Sequence, residues 1–478
     1  MSEPILPGFH PDPSVCRAGE EYFLVNSSFE YLPGVPISAS RDLVHWRRLG
    51  HVLDRPDQLR LASSTGSGGI FAPTLRYHGG RFWMVTTDIA RASEGHIIVW
   101  AEDPAGPWST PVVTRGAAGI DPDLAWDERG DCHLTWSAGG ERPIRQARVD
   151  PETGALLSAP VALWPGTGLA YPEGPHLYRR GDWWYLLLAE GGTERGHAVT
   201  VARSRSISGP FEPGPANPIL SHRSTTDPVQ STGHADLVET FEGDWAMVYL
   251  AVRPHGAPPG WHVNGRETFL AGVRWEDDWP VVDEGRYAVP RAGTAFADDF
   301  AALDPRWVSP GCYPAQFAAA GPPQGLVLAA ADGEARLLAT RAVDRFWLAS
   351  AELTLGAGRL VLRLDERHRA HVELVDGMFV AAATVGPFTQ ELARVPAASA
   401  VPAIRVGPHP VANGPAAGPD QVELGYVDAD GFVALAGLDG RYLATEVAGG
   451  FTGRVVGVEQ VARASAVRRF EYAPISPA

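Results

Sequence analysis

Apolar and polar positions in the first half of the chain follow one phrase that returns five times. A short turn leads into an apolar strand, a glycine hairpin follows, and a second apolar strand runs back. The copies open at Asp12-Pro13-Ser14-Val15, Ala72-Pro73-Thr74-Leu75, Asp121-Pro122-Asp123-Leu124, Glu173-Gly174-Pro175-His176-Leu177 and His234-Ala235-Asp236-Leu237. Their hairpin glycines are Gly19, Gly80, Gly130, Gly181 and Gly243, and their return strands include Tyr22-Phe23-Leu24-Val25 and Trp183-Trp184-Tyr185-Leu186. A period of roughly 50 to 60 residues with short strands and no sustained 3.6-residue pattern predicts four-stranded blades. Five copies predict a five-bladed β-propeller over residues 1–290.

After Val289-Pro290-Arg291-Ala292-Gly293 the texture changes. Alternating runs such as Arg359–Leu364 and Ala370–Val375, with hairpin signals at Asp376-Gly377, Asp430-Gly431 and Asp439-Gly440, predict a second all-β domain over 296–478. A β-sandwich is the expected architecture. The Ala- and Pro-rich stretch 395–420 reads as a long loop.

Bulk properties narrow the possible functions. The chain of 478 residues carries a formal net charge of −16, which argues against a phosphate-backbone partner and so against nucleic acid. No run of about 18 apolar residues predicts a membrane span. Three cysteines, Cys16, Cys132 and Cys312, form neither a disulfide framework nor a spaced metal set. The N-terminus lacks a basic start followed by an apolar stretch, so a cytoplasmic location is expected. The 15 Trp, 12 Tyr and 17 Phe supply core and also suit sugar stacking.

If equivalent positions of a radial repeat face one axis, Asp12, Asp121, Glu173 and His234 converge there. Taken singly, each has a plain structural reading: Asp before Pro opens ordinary turns, and histidine is more often a satisfied core residue. Together, three carboxylates suit hydrolysis of a glycosidic bond with inversion. That reaction needs one protonated acid and one ionised base about 6.5–9.5 Å apart. A third carboxylate beside the acid would raise its pKa by like-charge repulsion.

These motifs resemble glycoside hydrolase family 43, in the branch of two-domain β-xylosidases and α-L-arabinofuranosidases. Gly8-Phe9-His10-Pro11-Asp12-Pro13-Ser14 resembles that family's general-base motif, Gly119–Leu124 the motif of the aspartate that tunes and orients the acid, and Tyr171–Tyr178 the general-acid motif. The resemblance implies that Asp12 is the base, Glu173 the acid and Asp121 the modulator. Asp123 stands where Ser is usual. Arg266, in Asn264–Phe269, resembles a sugar-contacting arginine, and Phe29, Phe71 and Thr193 fall in segments that wall the pocket, with Phe71 where Trp is usual. Thr232–Asp236 resembles the segment whose histidine lies at the axis. No cofactor is obligatory on this resemblance, which leaves room for a hydrated calcium ion near His234. The implied fold is a five-bladed propeller followed by a concanavalin A/lectin-like sandwich, with no active-site residue carried over from the sandwich.

The expected activity is inverting, exo-acting release of xylose from short β-1,4-xylo-oligosaccharides. α-L-Arabinofuranosidase or dual activity on arabinosyl-substituted oligosaccharides is the alternative, and Phe71 in place of Trp favours breadth. A non-catalytic carbohydrate-binding protein is the alternative of another class. Relatives commonly form dimers or tetramers, so a homo-oligomer is also an expectation.

Overall fold

In the computed structural model each of the five phrases is a four-stranded antiparallel sheet. The structure describes residues 3–476 except 62–64, 141, 292, 322–324, 330–334, 354–356, 398–399, 412 and 462–464. The first strands of the sheets are Ser14–Ala18, Thr74–His78, Ile120–Trp126, Glu173–Arg180 and Gln230–Glu239. Each touches the first strand of the next sheet, and the fifth touches the first, so the sheets close into a ring of five blades. Ile5 and Leu6 hydrogen-bond Thr268 in the third strand of blade five, which ties the N-terminal residues to the last blade.

Why the return strands are apolar on both faces follows from the ring. Side chains alternate across a strand, and each blade has a neighbour on either side. Leu24 packs toward blade five while Phe23 and Val25 pack toward blade two. Met84 and Val85 divide between blades one and three, and Leu186 and Leu187 between blades three and five. Tyrosines and tryptophans fill the same seams: Trp83 and Trp136 lie between blades two and three, Trp164 and Trp184 between three and four. The abundance of tryptophan is thus a packing feature, and none of the 15 lines the axial pocket. Two-residue turns close several hairpins. In them Gly19, Gly79, Gly80 and Gly181 hold φ of +58°, +61°, +80° and +57°, the left-handed conformation that matches strand twist and suits residues without a Cβ.

Downstream of the last blade strand, Trp279–Asp283, two large sheets face each other across one core. One has six strands, Arg336–Arg341, Val455–Gln460, Ala357–Asp365, His368–Val375, Met378–Val385 and Phe388–Pro396 in spatial order. The other has eight and includes Trp347–Leu353, Val401–Gly407, Gln421–Asp428 and Ser465–Pro474. Trp307, Trp347, Phe379, Phe470 and Tyr472 anchor the shared core. The fold is all-β, a propeller followed by a sandwich.

Two local expectations differ from the structure. The stretch 395–420 is not a loop throughout: Val401–Gly407 is an interior strand of the eight-stranded sheet, with Ile404 and Val406 fully buried. Ala and Pro weaken its β signal, and burial on one face restores it. Asp439-Gly440 does not turn a hairpin. Asp439 instead caps the short 3-10 helix Gly440–Leu443, accepting the Arg441 N–H at 2.9 Å. At Asp376-Gly377 the expected turn is present, with both residues left-handed.

The two regions interlock. Ser309–Pro310 pairs with Tyr31–Leu32 of blade one. Glu30 and Arg363 form a fully buried ion pair at 3.2 Å across the boundary. Gly265 and Gly453 approach so closely that a Cβ on Gly265 would lie 2.8 Å from the Gly453 nitrogen.

Candidate active site

The turn at the start of each first strand aims side chains at the axis. Ile120 pairs with Ser137 and Asp123 with Thr135; Glu173 with Ala189 and His176 with Leu187; Gly233 with Leu250 and Asp236 with Val248. In all three blades the two intervening residues break the ladder. Their first members, Asp121, Gly174 and His234, hold φ of +52°, +55° and +46°, and Asp12 in blade one holds +52°. A non-glycine residue held there costs about 1–3 kcal/mol, a strain that collects at functional sites. This register corrects the expected phase. Asp12, Asp121 and His234 are equivalent, but the fourth member is Gly174; Glu173 stands one position earlier and corresponds to Ile120. Gly174 also makes room for the histidine, since a Cβ there would meet His234 Nε2 at 3.0 Å.

All eight expected site residues still meet in one pocket. It is lined by Asp12, Asp121, Glu173, His234, Arg266, Thr193, Phe29 and Phe71, and also by Ala72, Ile120, Tyr171, Gly192, Glu194 and Phe451. Asp12 Oδ2 accepts from Ser27 Oγ at 2.5 Å, while Oδ1 lies 3.1 Å from Arg266 Nη1 and 3.6 Å from His234 Nδ1. Asp121 Oδ2 accepts the Gly174 N–H at 3.1 Å. Arg266 Nη1 also donates to Thr193 Oγ1 at 3.1 Å.

Electrostatics separate the three acids. Burial pushes the Asp12 carboxyl up, but Arg266, His234 and the Ser27 hydroxyl outweigh it, and the group lies below its ordinary value. Glu173 is driven well above the usual carboxyl range by burial, then by Asp121 and Asp12, with Glu194 adding to the repulsion. Asp121 is raised to about 7 by burial and by Asp12. Of the coupled pair, Asp121 has the Gly174 N–H to stabilise its anion, so the shared proton resides on Glu173. His234 is held neutral, its pKa lowered to about 4 by burial.

The pocket's aromatic wall comes from three distant segments. Phe29 and Phe71 meet edge-on at 5.5 Å, and Phe451 of the sandwich region stacks on Phe29 at 6.0 Å. The Arg266 guanidinium lies over both Phe29 and Phe451, at 5.6 and 5.3 Å. Phe451 is fixed by its own N–H, which donates to Ser67 Oγ at 2.7 Å. The sandwich region therefore supplies a pocket residue that sequence reasoning passed over. The only signal was Gly450-Phe451-Thr452-Gly453, an aromatic set between glycines.

Beneath His234 the axis carries a second polar layer. Arg76 Nη1 meets Asp236 Oδ2 at 2.8 Å and Arg76 Nη2 meets Asp123 Oδ1 at 3.0 Å, both carboxylates being fully buried. His176 Nδ1 lies 3.0 Å from Arg76 Nη2, and Tyr178 Oη donates to Asp236. These residues offer few direct ligands for the hydrated calcium ion expected near His234. Among the described residues no three His, Cys, Asp or Glu groups are gathered to hold a metal. The axial carboxylates share Arg76, Asp12 pairs with Arg266, and His234 Nε2 faces Gly174. No chemical step is assigned to a metal here.

A sequence profile of glycosyl hydrolases family 43 matches residues 1–280. A xylosidase/arabinosidase of Butyrivibrio fibrisolvens is 46% identical over 298 residues, covering 59% of this chain and 56% of that protein. A non-reducing-end α-L-arabinofuranosidase of Bacteroides ovatus is 44% identical over 283 residues, covering 58% and 53%. These matches span little more than half the length of either relative. In three dimensions, the crystal structure of xylan β-1,4-xylosidase from Bacillus halodurans C-125 superposes with a TM-score of 0.87 at 28% identity, covering 99% of this chain and 100% of that one. With its repeat, its three axial acids and a match over more than half its length, the chain belongs to glycosyl hydrolase family 43.

Proposed function

We propose that this protein is an inverting exo-glycosidase that releases xylose from the non-reducing end of short β-1,4-xylo-oligosaccharides. The observation that carries this reading is the opposite displacement of two carboxyl groups facing one pocket: Asp12 is lowered and Glu173 raised. Near neutral pH one is a base and the other an acid, the pair that inversion requires. Asp12 takes a proton from water as its oxygen attacks the anomeric carbon, and Glu173 gives its proton to the departing glycosidic oxygen. Asp121 keeps that proton on Glu173 by repulsion. Arg266 orients Asp12, and through its aromatic contacts it also fixes the wall against which the sugar ring rests. Neutral His234 packs beside Asp12 without competing for the water's proton. The reading needs no resident metal. Residues 1–290 act as the catalytic domain and 296–478 as a domain that completes the rim through Phe451.

A second substrate reading rests on the relatives, one a xylosidase/arabinosidase and another an α-L-arabinofuranosidase. On that reading the same acid and base cleave α-L-arabinofuranosides. Initial rates on aryl β-D-xyloside and aryl α-L-arabinofuranoside, with NMR of the first-formed sugar anomer, test both. Release of α-xylose from a β-xyloside supports inversion; first-formed β-xylose overturns it, and no turnover of either glycoside overturns hydrolysis altogether.

A further inference from the structure

Behind the segment that leads to Asp12, a half-buried and a buried arginine from opposite sides of the domain boundary, Arg48 and Arg341, stand together without an acid. Arg48 belongs to the last strand of blade one, Arg47–Leu53, and Arg341 to the sandwich strand Arg336–Arg341. Arg341 is 6% exposed; its Nε donates to the Phe9 carbonyl at 2.8 Å and its guanidinium lies 4.4 Å from the Phe9 ring. Arg48 Nη2 donates to His10 Nε2 at 2.8 Å, and His10 Nδ1 in turn donates to the Pro7 carbonyl at 2.9 Å. That leaves Arg48 Nε, Arg48 Nη1, Arg341 Nη2 and His51 Nε2 fully buried with no hydrogen-bond partner.

These groups are near enough to feel one another. Burial and then the charges of Arg341 and Arg48 hold His10 far below its ordinary pKa, and His51 is lowered by burial and the same two charges. Burial and Arg48 together bring Arg341 down to about 9. Asp304, whose charge reaches Arg48, is itself paired with Arg306 at 3.1 Å. Among the described residues neither Arg48 nor Arg341 has a carboxylate at ion-pair distance. Two like charges with orphaned donors, taken out of water, need a counter-charge rather than a neutral bridge. A water could satisfy a donor but would leave both charges uncompensated.

We propose that Arg48, Arg341 and His51 hold a small inorganic monovalent anion of chloride size, buried between the propeller and the sandwich. The ion takes the free guanidinium N–H groups of both regions and so joins them electrostatically. It also steadies the strap Pro7–His10, whose carbonyl and imidazole groups are the remaining partners of the same two arginines, immediately ahead of Asp12. This site is separate from the sugar pocket and does not depend on the glycosidase reading.

Bromide is the probe. Crystals of the full chain grown without halide and soaked in sodium bromide should show an anomalous peak within hydrogen-bond reach of both Arg48 and Arg341. In solution, titrating sodium bromide against sodium methanesulfonate at constant ionic strength should raise the Tm of the wild type saturably. Arg341→Met should abolish that rise. An empty or water-filled site in the bromide crystals, or an equal bromide response in Arg341→Met, would overturn the proposal. Should Arg341→Met fail to fold, Arg48→Met and the wild-type anomalous map carry the same decision.

Discussion

Two acidic layers lie along the propeller axis, two residues apart in sequence, and they differ in how their charge is balanced. The lower layer holds Asp123 and Asp236, with Arg76 between them at 3.0 and 2.8 Å. Each of its acids is tied to Arg76 and to further donors, Ser14, Val15 and Tyr178 on Asp236 and the Leu177 N–H on Asp123. Asp236 is held down to about 2 because Arg76 and these hydrogen bonds outweigh burial. The upper layer holds Asp12, Asp121 and Glu173 against the one guanidinium of Arg266, which favours Asp12. Three carboxyl groups with one cation leave an excess that the site resolves by keeping a proton on Glu173. The lower layer reads as scaffold and the upper as chemistry, although both are built from carboxylates and an arginine, and Asp121 and Asp123 share one strand.

The largest effects should separate the layers by kind. Asp12→Ala should lower kcat by roughly 10²–10⁴-fold for every leaving group, because the attacking water loses its base. Its thermal stability should change little or rise, as removal of a strained, crowded carboxylate often does. Arg76→Met should do the reverse. It strands Asp123 and Asp236 as buried anions, a loss of about 3–5 kcal/mol in urea unfolding. A stable Arg76→Met with an ordinary urea midpoint would contradict the scaffold role.

Within the upper layer, Glu173→Ala should depend on the leaving group. Xylobiose hydrolysis should fall by roughly 10²–10⁴-fold, while activated aryl glycosides, which need less protonation, lose much less. Equal losses on both would remove Glu173 from the acid role. A smaller effect is expected at the wall: Phe451→Ala should cost about 10-fold in kcat/KM through loss of ring packing against Phe29 and Arg266. Unchanged kinetics would leave the sandwich region outside the site. Dialysis against EDTA should leave kcat/KM unaltered, and a loss restored by calcium would reverse the reading of the axis.

Much of this was legible in the sequence because a radial repeat turns linear phase into spatial convergence. The five openings predicted the blades, and Asp12, Asp121 and His234 share the left-handed position that aims them inward. Glu173 entered for a partly mistaken reason, since the ladder break in blade four begins one residue later, at Gly174. Gly174-Pro175 aligns with Asp121-Pro122, which places Glu173 one position ahead of the inward-facing phase. Arg76 was invisible because the second blade opens on apolar Ala72, and its cation sits four residues on. Phe451 was missed since nothing in local periodicity says which loop of one region caps the pocket of another. Val401–Gly407 was hidden by composition, its burial being set by neighbouring strands far away in sequence.

The charge imbalance of the upper layer is tested most directly by the pH dependence of kcat/KM for the wild type and Asp121→Asn. The acidic limb should report Asp12 and lie below the ordinary carboxyl range, because its pKa is lowered. The alkaline limb should report loss of the Glu173 proton and lie well above that range, because its pKa is raised. Asn at position 121 keeps the shape and removes the charge, so the alkaline limb should move to lower pH and the maximal rate should fall. An alkaline limb that does not move, with a near-normal rate, would contradict the assignment of Asp121 and Glu173 as a proton-holding pair.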